Sequence, residues 1–295
     1  MNFLITGGTG FLGSQLTNYL IKKGHHVYIL TRSPEVHNDS DSVIYIPYDV
    51  DTKKLPQIYG VVNLAGESLF GYWSEEKKKK ILFSRMTATS QVLELMKKLQ
   101  NKPEVFISGS AVGYYGSSDE IIFTEKTVDS GDDFLSSVVV DWEKAASEAE
   151  ELGIRTVYAR FGIVLGKQGG SLPLMTLPVK LFVGGKIGDG DQWISWVHIE
   201  DAVRLLDFSL FNKDISGPVN ITSPNPKRNK DFYKTLARVY KRPYWFPMPN
   251  FLMNLAMGEM SQLITKGQYV APQKAIELGF EFKFAKHGEA LEDIK

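Results

Sequence analysis

Met1-Asn2-Phe3-Leu4-Ile5-Thr6-Gly7-Gly8-Thr9-Gly10-Phe11-Leu12-Gly13 opens the chain, a short apolar run passing directly into four glycines. The run reads as a buried strand. Beyond it, Leu12, Leu16, Tyr19, Leu20 and Lys23 at helical spacing up to Gly24 read as an amphipathic helix with a left-handed cap. Gly7, Gly10 and Gly13 are spaced three apart, and Gly8-x-Gly10-x-x-Gly13 fits the same motif. Glycine in such a strand–helix turn permits a tight bend and lets bare amides approach a pyrophosphate, which the helix N-terminus attracts. The ordinary alternative is a turn that binds nothing. The strand before and the helix after favour a dinucleotide site.

Working outward, strands are expected near Asn2–Thr6, His26–Thr31, Val43–Ile46, Gly60–Ala65, Glu104–Ser110 and Arg155–Phe161. Helices are expected near Phe11–Lys23, Ser74–Leu99 and Phe134–Leu152. This alternation predicts parallel pairing with right-handed crossovers: an α/β, doubly wound parallel-sheet Rossmann fold. Continuous apolar runs such as Val61-Val62-Asn63-Leu64-Ala65 suit strands covered on both faces. Past residue 166 the glycine- and proline-rich stretches Gly166–Pro178 and Gly184–Gly190 break the pattern. A helix near Ile199–Phe211 and a strand near Pro218–Thr222 return to it. The division expected is a dinucleotide-binding domain over 1–165, rejoined by about 198–224, and a smaller, mostly helical substrate-binding lobe from 166–197 and 225–295. Lys77-Lys78-Lys79-Lys80 reads as the solvated start of a helix.

Thirty-four basic residues balance thirty-four acidic ones, so nothing in the global charge argues for nucleic acid or an anionic membrane surface as partner. The absence of cysteine excludes disulfides, thiolate catalysis and cysteine-ligated metals, and no metal site is expected. The N-terminus lacks the pattern of a secretory signal, and no apolar run reaches the roughly 18 residues of a membrane span. A cytoplasmic protein with a small-molecule substrate is expected, its oligomeric state open.

The end of the second strand decides which dinucleotide. An acidic residue there would bind the ribose 2′-hydroxyl of NAD. This chain has Ile29-Leu30-Thr31-Arg32-Ser33-Pro34 instead. Arg32 offers a charge-assisted fork to a 2′-phosphate, and the Thr31 and Ser33 hydroxyls add bonds, which favours NADP(H). A solvent-facing Arg32 is the alternative. Asp49 is either an adenine contact or a loop aspartate.

With Asn63-Leu64-Ala65-Gly66-Glu67 and Ser108-Gly109-Ser110-Ala111-Val112-Gly113-Tyr114-Tyr115-Gly116 added, the chain resembles the extended short-chain dehydrogenases/reductases. More narrowly, it is similar to their atypical branch, the NAD-dependent epimerase/dehydratase-like proteins. The resemblance runs through Asp141-Trp142-Glu143 and Gly188–His198 to Gly258-Glu259-Met260 and Leu278–Phe282. It implies Gly7, Thr9, Gly10, Phe11, Leu12 and Gly13 at the pyrophosphate, with Thr31 and Arg32 beside the adenosine ribose. It also implies Leu64, Ala65 and Gly66 along the phosphates and second ribose, and Val164 near the nicotinamide. Arg85 is either a cofactor contact or half of a structural ion pair.

The usual chemistry of that superfamily needs a serine or threonine, then Tyr-x-x-x-Lys on the next helix to relay a proton. Ser110 matches the serine. Phe134-Leu135-Ser136-Ser137-Val138-Val139 supplies neither tyrosine nor lysine. Ser110 and Tyr115 are therefore the candidate catalytic residues, Ser110 as hydrogen-bond donor, although Tyr114 and Tyr115 read more simply as packing residues. Asp141 and Glu143 lie two apart on a helix, a poor acid/base pair, and read as surface carboxylates. His198 reads as structural. Two functions are consistent with these residues. One is an NADP(H)-dependent oxidoreductase or epimerase acting on a small polar substrate, sugar-like or a polar carbonyl compound. The other is an NADP(H)-binding regulatory protein without turnover.

Overall fold

Alternate residues of a strand face opposite sides of its sheet, and the opening run uses both sides. In the computed structural model, which describes residues 1–295 apart from the side chain of Ala256, strand β1 is Asn2–Thr6. Its Phe3 and Ile5 pack with Leu16 and Leu20 of helix α1 (Phe11–Lys22), while Leu4 joins the core on the far side. β2 (His26–Leu30), β3 (Val43–Ile46) and β4 (Ile58–Asn63) come next, then α2 (Glu75–Lys98), β5 (Val105–Ala111), β6 (Ser118–Phe123), α3 (Phe134–Glu151) and β7 (Arg155–Phe161). The main sheet runs β12-β7-β5-β4-β1-β2-β3, where β12 is Gly217–Ile221, and every pair in it is parallel.

α1 and α5 (Ile199–Phe211) cover one face; α2 and α3 cover the other, with Val92, Leu93, Met96, Ala146 and Ala149 against Leu4, Val61 and Phe106. Burial on both faces is why the strands carry unbroken apolar runs. The order reverses beside β1, where successive strands leave in opposite directions, and a crevice opens at the strands' carboxyl ends. The doubly wound Rossmann architecture expected from the sequence is therefore the one observed, with strand bounds within two residues of those read. Gly24, at φ +79°, ends α1 as expected: its amide donates to Ile21 O at 2.8 Å and that of His25 to Leu20 O at 3.1 Å.

The remaining elements add smaller sheets and helices, among them a short helix whose Ala275 joins the core of the main sheet. β8 (Ile163–Gly166) pairs with β9 (Gly169–Gly170) and with β11 (Trp196–His198), and α4 (Leu172–Lys180) comes after β9. β10 (Trp193–Ile194) pairs with β13 (Lys227–Arg228), which leads into α6 (Asn229–Val239). α7 (Asn250–Met257), α8 (Gln262–Thr265), β14 (Gln268–Val270), α9 (Gln273–Glu277) and α10 (His287–Ile294) complete the chain. A separate core joins Leu172, Met175, Trp196, Phe232, Leu236 and Leu291. β14 pairs with β6, two short segments the sequence reading left unassigned.

The lysine run opens α2 as expected, with Lys79 and Lys80 exposed, while Lys77 pairs with Glu67 at 2.7 Å and Lys78 with Glu259 at 2.7 Å, tying the start of the helix to flanking segments. Among the described residues no helix is long and apolar enough to cross a membrane, and no cluster of three or more His, Cys, Asp or Glu is placed to hold a metal.

His287, stacked near Phe232 and edge-on to Trp196, carries a pH-dependent stability. Burial, reinforced by the nearby charges of Lys227 and Arg238, pushes its pKa from 6.5 down to about 4. The folded protein therefore holds it neutral where the unfolded chain protonates it. Its contribution is complete above about pH 6.5 and is lost as pH falls toward 4. The expected result is that Tm falls less steeply across that window in His287→Phe than in the wild type. Equal slopes would show that His287 is not a source of the acid sensitivity.

Candidate functional site

The crevice at the carboxyl ends of β1, β4 and β5 is a cleft of about 1030 Å³. That is the upper end of small-molecule pockets, roughly 300–1,000 Å³. Gly7, Gly10, Phe11, Leu12 and Gly13 form part of its wall. The three spaced glycines are there for different reasons. Gly7 sits at φ +66°, and a Cβ on it would lie 2.7 Å from the Leu64 carbonyl oxygen; one on Gly13 would lie 2.1 Å from the Gly7 carbonyl oxygen. Both are demanded by the backbone itself. Gly10 has an ordinary φ of −80°, and its nearest obstacle is the Gly7 carbonyl oxygen at 3.2 Å. Its missing side chain leaves room chiefly on the cleft side. The first turn of α1 has no side-chain cap and no acidic residue, so its leading amides are available to an anion. Phe11 is seated against a glycine-lined surface, since a Cβ on Gly166 or Gly169 would come within 2.5 or 2.7 Å of its ring.

A buried polar chain fixes the neighbouring strand ends. The Thr6 hydroxyl donates to Asn63 Oδ1 at 2.6 Å and accepts from the amides of Leu64 and Ala65. Asn63 Nδ2 and Trp142 Nε1 both donate to the Thr89 hydroxyl. β1, β4, α2 and α3 are thus tied together at the floor of the cleft. Leu64 and Gly66 line it and Ala65 does not.

Arg85 lies on the wall, packed against Gly66 and 5.1 Å from the Trp142 ring. The structural ion pair considered for it does not form. Its side-chain bonds run from Nη1 to the carbonyls of Ile81 and Glu67, at 2.9 and 3.2 Å, leaving Nε and Nη2 without a protein partner. Burial pushes its pKa down to about 10, only partly opposed by the charge of Glu67. A half-buried cation with no carboxylate on it thus lines the same cleft as the uncapped start of α1.

Ser110 also lines the cleft, at the end of β5, opposite Arg160 of β7 in the parallel register. Glu143 reaches both from α3. Ser110 Oγ donates to Glu143 Oε1 at 2.5 Å, and Arg160 Nε and Nη2 donate to the two carboxylate oxygens at 2.8 Å each. Glu143 is therefore not the surface carboxylate expected of it. Burial works against the Arg160 charge, but the bonds and charge of Glu143 more than offset it and raise the guanidinium's pKa. Ser110 is brought to the wall as expected, with its hydroxyl engaged by Glu143.

Tyr115 is not brought to the cleft. It is buried beside Phe123, its hydroxyl donates to Asn220 Oδ1 at 2.8 Å, and burial raises its pKa, so it is neither placed nor poised to relay a proton. Tyr114 lies with its ring centroid 3.5 Å from the Arg160 guanidinium carbon and its hydroxyl on Val128 O. Where Tyr-x-x-x-Lys was sought, α3 presents Leu135, Val138, Val139 and Trp142 to the cleft. Val164 is on the wall with Phe161, Gly162 and Ile163; Thr9, Thr31 and Arg32 are outside it, Arg32 exposed at the end of β2. His198 is structural as read, its Nδ1 accepting from the Glu200 amide at the start of α5. The sequence reading missed the joint role of Glu143 and Arg160. The matched positions of Ser110 and Arg160 on neighbouring strands are the signal that a strand alignment offers.

A parallel sheet with a glycine turn at its reversal, closed by an anion-seeking cleft, defines a Rossmann-type nucleotide-binding protein. Residues 3–222 match the model of the NAD-dependent epimerase/dehydratase family, and the chain belongs to that family. Residues 248–294 match a second model, the domain of unknown function DUF1731. The chain is 48% identical to the epimerase family protein YfhF of Bacillus subtilis over 298 residues, covering 100% of this chain and 98% of that one. Among solved structures it is similar to the human epimerase family protein SDR39U1 (isoform 2) with NADPH, with a TM-score of 0.89, 31% identity and coverage of 100% and 99%. It is also similar to a nucleoside-diphosphate sugar epimerase from Corynebacterium glutamicum, with a TM-score of 0.80, 32% identity and coverage of 100% of this chain but 58% of that one.

The two kinds of glycine separate by mutation. Gly13→Ala should lower Tm by several degrees, because its methyl cannot be accommodated without backbone movement. Gly10→Ala should shift Tm by less than about 2 °C while weakening nucleotide binding at least tenfold. Equal effects of the two substitutions on Tm and on affinity would refute the distinction.

Proposed function

We propose that the chain is an NADP(H)-dependent oxidoreductase of the short-chain dehydrogenase type. The observation that carries the reading is the unpaired Arg85 guanidinium facing the same cleft as the uncapped start of α1. Backbone amides after Gly10 would hold the pyrophosphate, and Arg85 would add a charge-assisted bond on the side of β4. Thr31 and Arg32, at the end of β2 where an acidic residue would select NAD, are proposed to receive the 2′-phosphate; the relative solved with NADPH supports this choice. Thr9 and Ala65 would flank the phosphates through their backbone. The nicotinamide, when bound, supplies hydride transfer.

The chain's own part is positioning. Ser110 Oγ, its proton held by Glu143, accepts a hydrogen bond from a substrate hydroxyl and so orients it against the cofactor face. Arg160 Nε and Nη2, donating to the two Glu143 carboxylate oxygens, hold that carboxylate against Ser110. Leu135, Val138 and Val139 exclude water from the same region. Because they also bring no ionisable group to it, a nucleotide-binding regulatory protein without turnover is the second reading. Consumption of NADPH with any member of a panel of aldehydes, ketones and quinones separates the two.

Calorimetry should give a tighter Kd for NADPH than for NADH, and Arg32→Glu should remove the preference. Equal affinities in the wild type would defeat the cofactor assignment. Arg85→Met should weaken NADPH at least tenfold yet raise the Tm of the nucleotide-free protein, since it removes a half-buried charge that lacks a counter-ion. A lowered Tm would assign Arg85 to structure instead. Ser110→Ala should lower kcat while leaving the Kd for NADPH unchanged; an unaltered kcat would remove Ser110 from the reaction.

A further inference from the structure

Beyond the nucleotide end, the cleft changes character. Met175, Met248, Met253, Met257 and Met260 line it, five of the chain's eight methionines, with Leu174 and Phe246 beside them. The charged residues of the whole wall are Glu67, Arg85, Asp133 and Lys266. Glu67 is paired with Lys77, and Asp133 caps α3 by accepting from the Ser136 amide. With Arg85 given to the cofactor, Lys266 is the one cation remaining on the wall among the described residues, and it is exposed.

A nucleoside diphosphate sugar needs several donors, preferably cationic, for its own diphosphate, and polar partners for its hydroxyls. This half of the cleft offers mostly thioethers and aliphatic side chains, which are soft, adaptable and apolar; its polar groups, such as Ser171, Ser195, Tyr233, Gln262 and Gln268, are neutral and leave a diphosphate without cationic donors. The character continues outward, since Leu174 is 54% exposed and Phe246 46%, and Leu177 and Leu181 of the adjoining surface are 51% and 62% exposed.

We infer that the second substrate is an extended apolar alcohol, not the sugar-like or polar carbonyl molecule the sequence suggested. Its hydrocarbon body would lie along the methionines and its oxygen at Ser110. This rests on the proposed oxidoreductase reading for the identity of the reacting group. The class that fits is a molecule with one oxygen function and a chain or ring system long enough to reach the exposed leucines. Supply of such a substrate would fall to reactions that build or modify lipids.

The test uses the full chain at saturating NADP⁺, with n-alkanols from hexanol to decanol and with UDP-glucose as titrants in calorimetry. One-to-one binding is expected, with Kd falling about fourfold per added methylene, the factor equivalent to about 0.8 kcal/mol. UDP-glucose should bind more weakly than decanol. Leu174→Asp, at an exposed wall position that tolerates a charge, should weaken decanol at least tenfold without changing the Kd for NADPH. Val128→Asp, at an exposed position away from the wall and its adjoining leucines, should change neither.

A flat alkanol series, unsaturable binding, tighter UDP-glucose binding or an indifferent Leu174→Asp would each overturn the inference. The NADPH titration of the same samples reports separately on the cofactor reading. If NADPH fails to bind, the alkanol series on nucleotide-free protein still decides whether the methionine surface takes an apolar ligand.

Discussion

The contact between Gly13 and the carbonyl of Gly7 sets the geometry on which the rest depends. Helix α1 can start where it does only because no Cβ intervenes there, and the Gly7 carbonyl in turn accepts the Gly10 amide at 2.9 Å. The same turn presses on the Leu64 carbonyl at the end of β4, whose next two amides are held by the Thr6 hydroxyl. Two strands, a helix and a loop are therefore locked to one another through backbone atoms and a single hydroxyl. Such a junction has little freedom to relax. It leaves the amides of the first turn directed at the crevice with no side chain competing for them. Preorganised donors cost no rearrangement when an anion arrives, which is the physical reason the site is formed by backbone.

Glu143 and Arg160 present the opposite case. Burying an ion pair costs several kcal/mol per charge before its attraction is counted, and well-packed apolar residues usually serve stability as well. Around this pair are Tyr114, Tyr115 and Trp142, any of which shows that the region packs large apolar groups readily. What the pair does that an apolar replacement does not is fix the direction of the Ser110 hydroxyl. A carboxylate accepts only, and the two bonds from Arg160 hold this one in reach of the Ser110 hydroxyl. Where a tyrosine and a lysine were sought, α3 presents Leu135, Val138 and Val139 to the cleft, and Ser110 lies at the edge of that apolar wall.

The sheet was legible because its strands are short apolar runs covered on both faces and its helices are bounded by caps that obey local rules: Gly24 after α1, Ser74 before α2, Asp133 before α3. The glycine turn was legible for the same reason, as a local pattern with a local cause. β6 and β14 were not, because each is short and becomes a strand only by pairing with a partner some 150 residues distant in the chain. Glu143 was misjudged by the spacing argument, which compares Asp141 and Glu143 on one helix and is blind to β5 and β7 lying against one of its faces. Tyr115 looked available because its neighbours in sequence line the cleft. Asn220, more than a hundred residues later, draws its hydroxyl away. In each case what was missed is a pairing between segments remote in sequence.

The two halves of the cleft obey different solvation rules, and that difference makes the reading of the substrate stronger than the family name alone. At the glycine turn the wall supplies donors and an unpaired cation, which are costly to bury and are offset only when a polyanion occupies them. Across Ser110 the wall supplies methionines, which lose nothing when an apolar group displaces water and gain dispersion contacts. A diphosphate placed in that second region would surrender its hydration and find one exposed lysine in return. A hydrocarbon would surrender nothing. Fold similarity leaves open what is bound beyond the cofactor, because function resides in the site and not in the sheet beneath it. Here the distribution of charge along a single cleft favours one polyanionic ligand with an apolar one beyond it, and Ser110 at the point where they meet.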